Sequence, residues 1–254
     1  MIGIVGGVGP YAGLDLLKKV FDNTHAACDQ DHVDALLFSL PGGIMDRTEY
    51  LEGRVEENPA SAIARVLLKL EQAGASVAGI PCNTAHVDPI FSSIRDELKQ
   101  QGSALKLLHM IAETVSFIRS SYPHLTKIGV LSTTGTYRSR VYVDMLETKG
   151  YEVLVPNERM QENLIHPAIY DPVYGIKSLS GSIHPQAHRN LQKGFTALKD
   201  LGARGVILGC TEIPLAFPEA LIEGMVSIDP TQVLARALLR ETFPEKLKPL
   251  KLML

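Results

Sequence analysis

Short apolar segments alternate with amphipathic segments along most of this chain. Apolar strands separated by helices predict βαβ units, in which a parallel sheet is covered by helices on both faces. The predicted strands are Ile2–Gly6, Ala35–Leu40, Val77–Ile80, Leu105–His109, Lys127–Leu131, Glu152–Val155, Gly205–Gly209 and Met225–Ile228. The predicted helices are Ala12–Thr24, Pro59–Ala73, Pro89–Gln101, Ala112–Ser121, Ser139–Lys149, Pro185–Leu201 and Thr231–Glu241.

The alternation contains an internal repeat. Ile2-Gly3-Ile4-Val5 recurs 126 residues later as Ile128-Gly129-Val130-Leu131. Gly74-Ala75, six residues and Cys82 recur 128 residues later as Gly202-Ala203, six residues and Cys210. Two matches at nearly one offset predict two similar α/β domains. We expect the first domain over residues 1–113 plus 216–254, where Asp229-Pro230 begins the last helix, and the second over residues 114–215.

The repeat has a chemical consequence for two of the three cysteines. Cys82 and Cys210 each follow the carboxyl end of a predicted strand, where open parallel sheets bind their ligands. Two such domains facing each other would place the two thiols on opposite walls of one cleft. The nearby helix starts favour thiolates, and Asn83, Thr84 and Thr211 add hydrogen-bond donors. The plainer interpretation is that both cysteines are small buried residues.

The remaining motifs are less specific. Cys28 has no counterpart in the repeat and is expected to be incidental, and three cysteines make a poor disulfide framework. Cys28-x3-His32 and Cys82-x3-His86 share a spacing, but the segments do not form the paired ligand pattern of structural zinc, so no metal is expected. The glycines of Gly6–Gly13 do not keep the dinucleotide spacing. Arg47 on a loop after the second strand is suited to bind a carboxylate, or is a solvated surface residue.

Composition excludes two classes of partner. With 25 basic and 28 acidic residues the net charge is −3, which disfavours nucleic-acid binding. No apolar run approaches the length of a membrane span, and the opening Met1–Val5 is typical of a core strand and not of a secretory signal. We therefore expect a cytoplasmic protein that acts on a small molecule, with neither nucleic acid nor membrane as a partner.

The motifs, taken together, resemble the aspartate/glutamate racemase family of cofactor-independent amino-acid racemases, and aspartate racemases above all. The resemblance runs through nearly the whole chain in order, and it implies two α/β domains related by a pseudo-twofold axis with the active site in the cleft between them. The motifs that carry it are Gly6-Gly7-Val8-Gly9-Pro10, Asp46-Arg47-Thr48, Pro81-Cys82-Asn83-Thr84-Ala85-His86, the Gly129–Tyr137 turn and Gly209-Cys210-Thr211-Glu212-Ile213-Pro214.

The resemblance implies a two-base racemisation of an acidic amino acid in a homodimer, without a cofactor. Cys82 and Cys210 would remove and deliver the α-proton on opposite faces of the substrate. Asn83, Thr84 and Thr211 would stabilise the charge on the α-carboxylate, and Arg47 and Lys177 would anchor the second carboxylate. Thr133 and Thr136, in the second domain's equivalent of the glycine turn, would line the site.

Other functions remain open at this point. A maleate cis–trans isomerase or a decarboxylase would use the same scaffold and residues. A catalytically silent amino-acid-binding protein would keep the fold while the cysteines served only for packing. A cysteine-dependent hydrolase needs a histidine positioned on its nucleophile, and His86 is the one candidate near Cys82.

Overall fold

The computed structural model describes residues 1–179 and 182–250. These residues form two compact units, of which the first contains Met1–Glu113 and the described chain after Pro230, and the second contains Thr114–Pro230. Each unit is a mainly parallel sheet flanked by helices, as the alternation predicts. The predicted α/β fold is therefore confirmed.

The first unit has a four-stranded sheet in the order β2-β1-β3-β4, in which all neighbouring strands are parallel. The chain enters the second unit within helix α5 and returns to the first unit at the last helix, Pro230–Thr242. The elements are β1 (Ile2–Gly6), α1 (Pro10–Asp22), β2 (Ala35–Ser39), α2 (Arg47–Leu51), α3 (Ala60–Gln72), β3 (Val77–Gly79), α4 (Asp88–Gln100), β4 (Lys106–Leu107) and α5 (Met110–Ser121).

The second unit has a five-stranded sheet in the order β6-β5-β7-β9-β8, in which β8 alone is antiparallel to its neighbour. A π-helical turn, Gln161–Ile165, separates α8 from α9. The elements are β5 (Lys127–Ser132), α6 (Thr134–Ser139), α7 (Val141–Glu147), β6 (Glu152–Leu154), α8 (Glu158–Met160), α9 (His166–Tyr170), α10 (Pro185–Asp200), β7 (Gly205–Gly209), α11 (Ile213–Ala216), β8 (Leu221–Ile222), β9 (Met225–Ile228) and α12 (Pro230–Thr242).

The internal repeat extends to the strand register. Ile2 of β1 lies opposite Val77 of β3. Ile128 and Gly205, which the repeat makes equivalent to Ile2 and Val77, lie opposite each other in β5 and β7. The strands that precede Cys82 and Cys210 therefore occupy the same place beside the first strand of their own sheet.

The repeated Gly-Ala pairs form the same helix end. Gly74 and Gly202 adopt φ of 101° and 100°, a left-handed conformation that glycine tolerates without strain. Ala75 N–H donates to the Leu70 carbonyl at 2.9 Å, and Ala203 N–H donates to the Leu198 carbonyl at 3.0 Å. These bonds, together with those of the two glycines, close a Schellman motif at the end of α3 and of α10. The motif ends each helix and directs the chain into the strand that precedes a cysteine.

The predicted position of residues 216–230 in the first domain is wrong. β9 pairs in parallel with β7, as β4 does with β3, so the repeat continues for one more strand before α12 begins. β8 joins β9 through Glu223 and Gly224, both at positive φ, in a two-residue hairpin turn. These strands place the segment in the second unit.

Helix α12 completes the core of the first unit, the domain to which the sequence assigns this last helix. Leu234 and Leu238 are fully buried, and a Cβ atom at Gly79 of β3 would lie 3.1 to 3.2 Å from their side chains. Leu16 of α1 belongs to the same buried cluster. The opposite face of the sheet is covered by α3 and α4, whose Leu67 and Ile94 are also fully buried.

Candidate active site

Cys82 lies on a short turn beyond the carboxyl end of β3. Ile80 and Pro81 separate it from the strand, and the 3-10 turn Asn83–His86 follows it directly. The thiol is buried, with 7% of the residue exposed, and Asn83 and Thr84 are buried beside it. The next α-helix begins only at Asp88. The predicted junction is therefore a single 3-10 turn, which offers Cys82 less helix dipole than the sequence suggests.

His86 fixes this turn from within. Its Nδ1 lies 2.9 Å from the Cys82 carbonyl oxygen, and because a carbonyl only accepts, Nδ1 carries the proton. Burial, with a smaller contribution from His109, lowers the pKa of His86 to about 3, so the ring is neutral. The ring stacks on Phe91 with centroids 5.0 Å apart. His86 therefore supports the backbone of Cys82 and does not contact its thiol, which disfavours the hydrolase alternative.

Arg47 is buried at the first turn of α2. Asp46 caps this helix by accepting hydrogen bonds from the N–H groups of Thr48 and Glu49 at 2.8 and 3.0 Å. The Arg47 guanidinium donates to the carbonyls of Val8, at 2.8 Å, and Met45, at 3.2 Å. The solvated-surface interpretation is therefore wrong: only 8% of Arg47 is exposed.

Arg47 and Cys82 belong to neighbouring parts of the first unit. Helix α2 packs against the Asn83–His86 turn. The glycine turn after β1 supplies the Val8 carbonyl, and Gly7 is required there because a Cβ atom would lie 2.8 Å from the backbone of Leu40 and Pro41. The first unit thus combines a buried thiol, its turn and a fixed cation at one end of its sheet.

Cys210 directly follows β7 in the second unit and is 3% exposed. Its Sγ donates to Oε2 of Glu212 at 3.0 Å, and the Thr211 hydroxyl donates to the same oxygen at 3.2 Å. Lys177 Nζ donates to Oε1 of Glu212 at 2.5 Å. The ammonium also lies 5.9 Å from the centroid of the Tyr170 ring. The buried carboxylate of Glu212 thus accepts hydrogen bonds from three predicted site residues, which are Cys210, Thr211 and Lys177.

The electrostatics of Cys210 differ from the sequence expectation of a favoured thiolate. Burial and then the negative charge of Glu212 raise the pKa of Cys210 well above its ordinary value, and the positive charge of Lys177 only partly offsets this. Cys210 is therefore a thiol at neutral pH. The following helix, α11, has four residues and is too short to reverse this.

Thr133 and Thr136 lie at the start of α6, next to the end of β5. The Thr133 hydroxyl caps the helix by accepting from the Thr136 N–H at 3.3 Å, and it donates to the Thr136 hydroxyl at 3.1 Å. Both residues are buried. Because β5 is the neighbour of β7, these hydroxyls share one end of the sheet with Cys210.

Two residues of this region are missing from the sequence prediction. Glu212 stands two residues after Cys210 in an otherwise apolar and neutral motif. A charged side chain in such a motif indicates an ion-pair partner elsewhere in the chain, because charged residues are rarely buried without one. Gln161, 1% exposed, donates to the Ser132 carbonyl at 3.1 Å and to the Thr134 hydroxyl at 3.3 Å. It lies in the π-helical turn, where the sequence offered no clear periodicity.

Cys28 differs from Cys82 and Cys210 in its exposure. It is an exposed free thiol, and the nearby His32 packs edge-on against Phe21. Within residues 1–179 and 182–250, no cluster of three or more histidine, cysteine or acidic side chains is arranged to hold a metal ion. Over the same residues, no helix combines the length and apolar character needed to cross a membrane.

Comparison with known proteins identifies relatives over most of the chain. The family described as Asp/Glu/hydantoin racemase matches residues 5–238. A broad-specificity amino-acid racemase of Bacillus subtilis is 28% identical over 84% of this chain and 86% of its own length. Aspartate racemase of Picrophilus torridus is 27% identical, with a TM-score of 0.77 over 94% of this chain and 93% of its own. An aspartate racemase homologue from Pyrococcus horikoshii, 23% identical, shares the fold with a TM-score of 0.68 over 94% of this chain and 97% of its own.

Proposed function

The chain belongs to the Asp/Glu/hydantoin racemase family, and from this we propose that it is an amino-acid racemase that interconverts L- and D-aspartate, with glutamate as a second substrate. The observation that carries the proposal is the pair of buried thiols, Cys82 and Cys210, at equivalent positions of two repeated sheets. Inversion at a carbon atom needs one proton-transfer group for each face, and the repeat supplies two groups of one kind. The racemases of Bacillus subtilis and Picrophilus torridus support the reaction class.

The proposed reaction moves one proton off the α-carbon and another onto it. In one direction, the Cys82 thiolate takes the α-proton, so the Cα–H bond breaks and an S–H bond forms. The Cys210 thiol gives its proton to the opposite face of the α-carbon and is left as a thiolate. In the reverse direction the two roles exchange. The reaction balances without pyridoxal phosphate or any other cofactor.

The negative charge that develops on the α-carboxylate needs nearby donors. We assign this stabilisation to Asn83 and Thr84 beside Cys82, and to Thr211 and Thr133 beside Cys210. Arg47 is the proposed anchor for the second carboxylate of the substrate, because its guanidinium is buried and held in one orientation. Lys177 already pairs with Glu212, so a substrate carboxylate would have to share it.

The decisive experiment is α-proton exchange in D2O. We expect wild-type protein to invert both L- and D-aspartate with incorporation of deuterium, followed by NMR and chiral chromatography. Cys82→Ala and Cys210→Ala should each lose inversion by about a hundredfold or more. Cys28→Ala is the matched control and should retain the wild-type rate, because Cys28 is exposed and outside the repeat.

Two results would count against the proposal. If the wild-type protein neither exchanges the α-proton of L- or D-aspartate nor inverts either enantiomer, the assignment as an aspartate racemase is wrong. A single cysteine variant that inverts at full rate would remove the two-base mechanism. The lesser alternative, a maleate isomerase or decarboxylase on the same scaffold, is tested by offering maleate and the related dicarboxylates to the same proteins.

We further propose that the protein works as a homodimer in the reducing cytoplasm. Cys28, Cys82 and Cys210 are free thiols, which supports the compartment. The dimer rests on the family resemblance. Light scattering of the purified protein tests the dimer, and a monomeric mass at working concentration would contradict it.

A further inference from the structure

We propose that Glu212 is a positioning residue that holds the reactive proton on Cys210, with Lys177 as the counter-ion that keeps Glu212 ionised. This deepens the proposed function, on which it rests. It makes Cys210 the acid of the resting enzyme and leaves the role of base to Cys82. It also gives Lys177 a role other than that of the substrate anchor implied by the resemblance.

Hydrogen-bond geometry defines the charge state of the cluster. The Cys210 thiol and the Thr211 hydroxyl both donate to Oε2 of Glu212, and the Lys177 ammonium donates to Oε1. An ionised carboxylate is an acceptor only and suits three donors, whereas a protonated one would add a fourth donor. We therefore assign Glu212 as the carboxylate and place the proton between the two residues on sulfur.

Charge and burial stabilise this arrangement against loss of the thiol proton. Removing it would create a thiolate 3.0 Å from the Glu212 carboxylate, in a site where Cys210 is 3% exposed. Among the described residues, the ionisable groups on the surrounding elements include Glu212, Lys177, Tyr170 near the ammonium, His166 stacked on Tyr170, Tyr174 against the same core cluster, and His188 stacked on Phe217 of that cluster. Lys177, whose side chain is 22% exposed, carries the positive charge that faces Glu212.

The repeat offers an internal comparison between the two cysteines. Glu212 stands two residues after Cys210, and the equivalent position two residues after Cys82 is Thr84, which is neutral. The two thiols therefore share their place on the sheet but differ in the charge beside them. This difference assigns the starting proton to one of them.

The assignment has a consequence for the chemical step. Cys210 turns its S–H from Glu212 to the α-carbon and becomes a thiolate next to a second negative charge. Such a thiolate is strongly basic, so in the reverse reaction it removes the weakly acidic α-proton and returns to the thiol. Glu212 itself neither gains nor loses a proton.

The test follows the ionisation of Cys210 in the full-length protein without substrate. In a Cys28→Ser/Cys82→Ser background, the ultraviolet absorbance of thiolate is recorded against pH, and the same titration of a variant that also carries Cys210→Ser is subtracted to remove the tyrosines. We expect Glu212→Gln to lower the midpoint by about one pH unit or more, and Lys177→Met to raise it. Glu219→Gln, which removes an exposed carboxylate, is the control and should leave the midpoint unchanged.

An electrostatic role predicts that the midpoint of the Cys210 titration shifts in opposite directions in the two variants. A merely structural role would leave both midpoints unchanged or shift both in the same direction. An unchanged midpoint in Glu212→Gln, or a lowered one in Lys177→Met, would overturn the proposal. If one variant fails to fold, the other still decides. The titration contains no amino acid, so its outcome is independent of whether the wild type racemises aspartate.

Discussion

The guanidinium of Arg47 lies 2.8 Å from the carbonyl oxygen of Val8, in the glycine turn after β1. This bond joins the cation to a turn whose backbone only glycine can follow at position 7. Arg47 is thereby held in one orientation before any substrate binds. A pre-oriented group loses less side-chain entropy on binding than a mobile one, which favours a role in substrate anchoring.

Arg47→Lys should raise the KM for aspartate by about tenfold or more with a smaller effect on kcat. A lysine has no planar fork and cannot contact Val8 and a carboxylate together. Steady-state kinetics measure the change, and Arg65→Lys, at an exposed position of α3, is the matched control. An unaltered KM in a folded Arg47→Lys protein would contradict the anchoring role.

Lys177→Met should lower the free energy of unfolding by about 2 to 4 kcal/mol. The substitution leaves Glu212, whose side chain is 6% exposed, as a buried charge without its ion-pair partner. The double variant Lys177→Met/Glu212→Gln should recover most of this loss, because it removes both charges. Urea denaturation of the single and double variants measures the coupling, and simple additivity of the two single effects would argue against it.

Acid should destabilise the first unit through His86. The pKa of His86 is about 3 in the folded protein and near 6.5 when unfolded, so between these values the unfolded chain binds a proton that the folded chain excludes. The stability from a neutral His86 is complete above the unfolded pKa and is lost as pH falls toward 3, by up to about 1.4 kcal/mol per pH unit.

His86→Asn should flatten this pH dependence, since asparagine also offers a donor to the Cys82 carbonyl but does not titrate. Denaturation at a series of pH values between 7 and about 4 measures the slope. His124→Asn, at an exposed position, should keep the wild-type slope. Equal slopes in His86→Asn and wild type would show that His86 is not the group that excludes the proton.

Gly3→Ala and Gly129→Ala should each destabilise the protein by about 1 to 2 kcal/mol. A Cβ atom at Gly3 would lie 3.0 Å from the Ala75 Cβ, and one at Gly129 would lie 3.1 Å from the Leu198 side chain. Gly42→Ala is the control, because its Cβ would meet nothing within 4 Å. Thermal unfolding measures the three variants, and a loss in Gly42→Ala equal to the other two would remove the packing explanation.

Much of the fold is predictable because the core strands are continuous apolar segments and because recognisable turns precede several of them. The predicted Gly205–Gly209 and Met225–Ile228 coincide with β7 and β9. The helix predicted over 139–149 instead forms part of two helices, α6 and α7, because Arg140 adopts a left-handed φ of 56° that sequence patterns do not disclose. The short β8 was missed because Glu-Gly is a weaker hairpin signal than Asn-Gly or Asp-Gly.

The candidate site was only partly predictable. Cys82 and Cys210 follow from the repeat, since equivalent strands end at equivalent positions. The bond between Lys177 and Glu212 does not, because it joins a 3-10 turn to the N-cap of α11, 35 residues away in sequence. The burial of Arg47 could not be predicted from its motif either, because its shorter hydrogen bond goes to the carbonyl of Val8, 39 residues away in sequence.

The shared register of the two sheets, with Ile2 opposite Val77 and Ile128 opposite Gly205, is the pattern expected from duplication of an ancestral half-chain. A protein built from two copies of that half begins with two equal thiols and no preferred direction of proton flow. The residues that follow the two cysteines differ, and the position two residues after each is threonine at residue 84 and glutamate at residue 212. The repeated strands give the two sulfur atoms equivalent positions in their sheets, while the side chains that follow are free to make their chemical surroundings unequal.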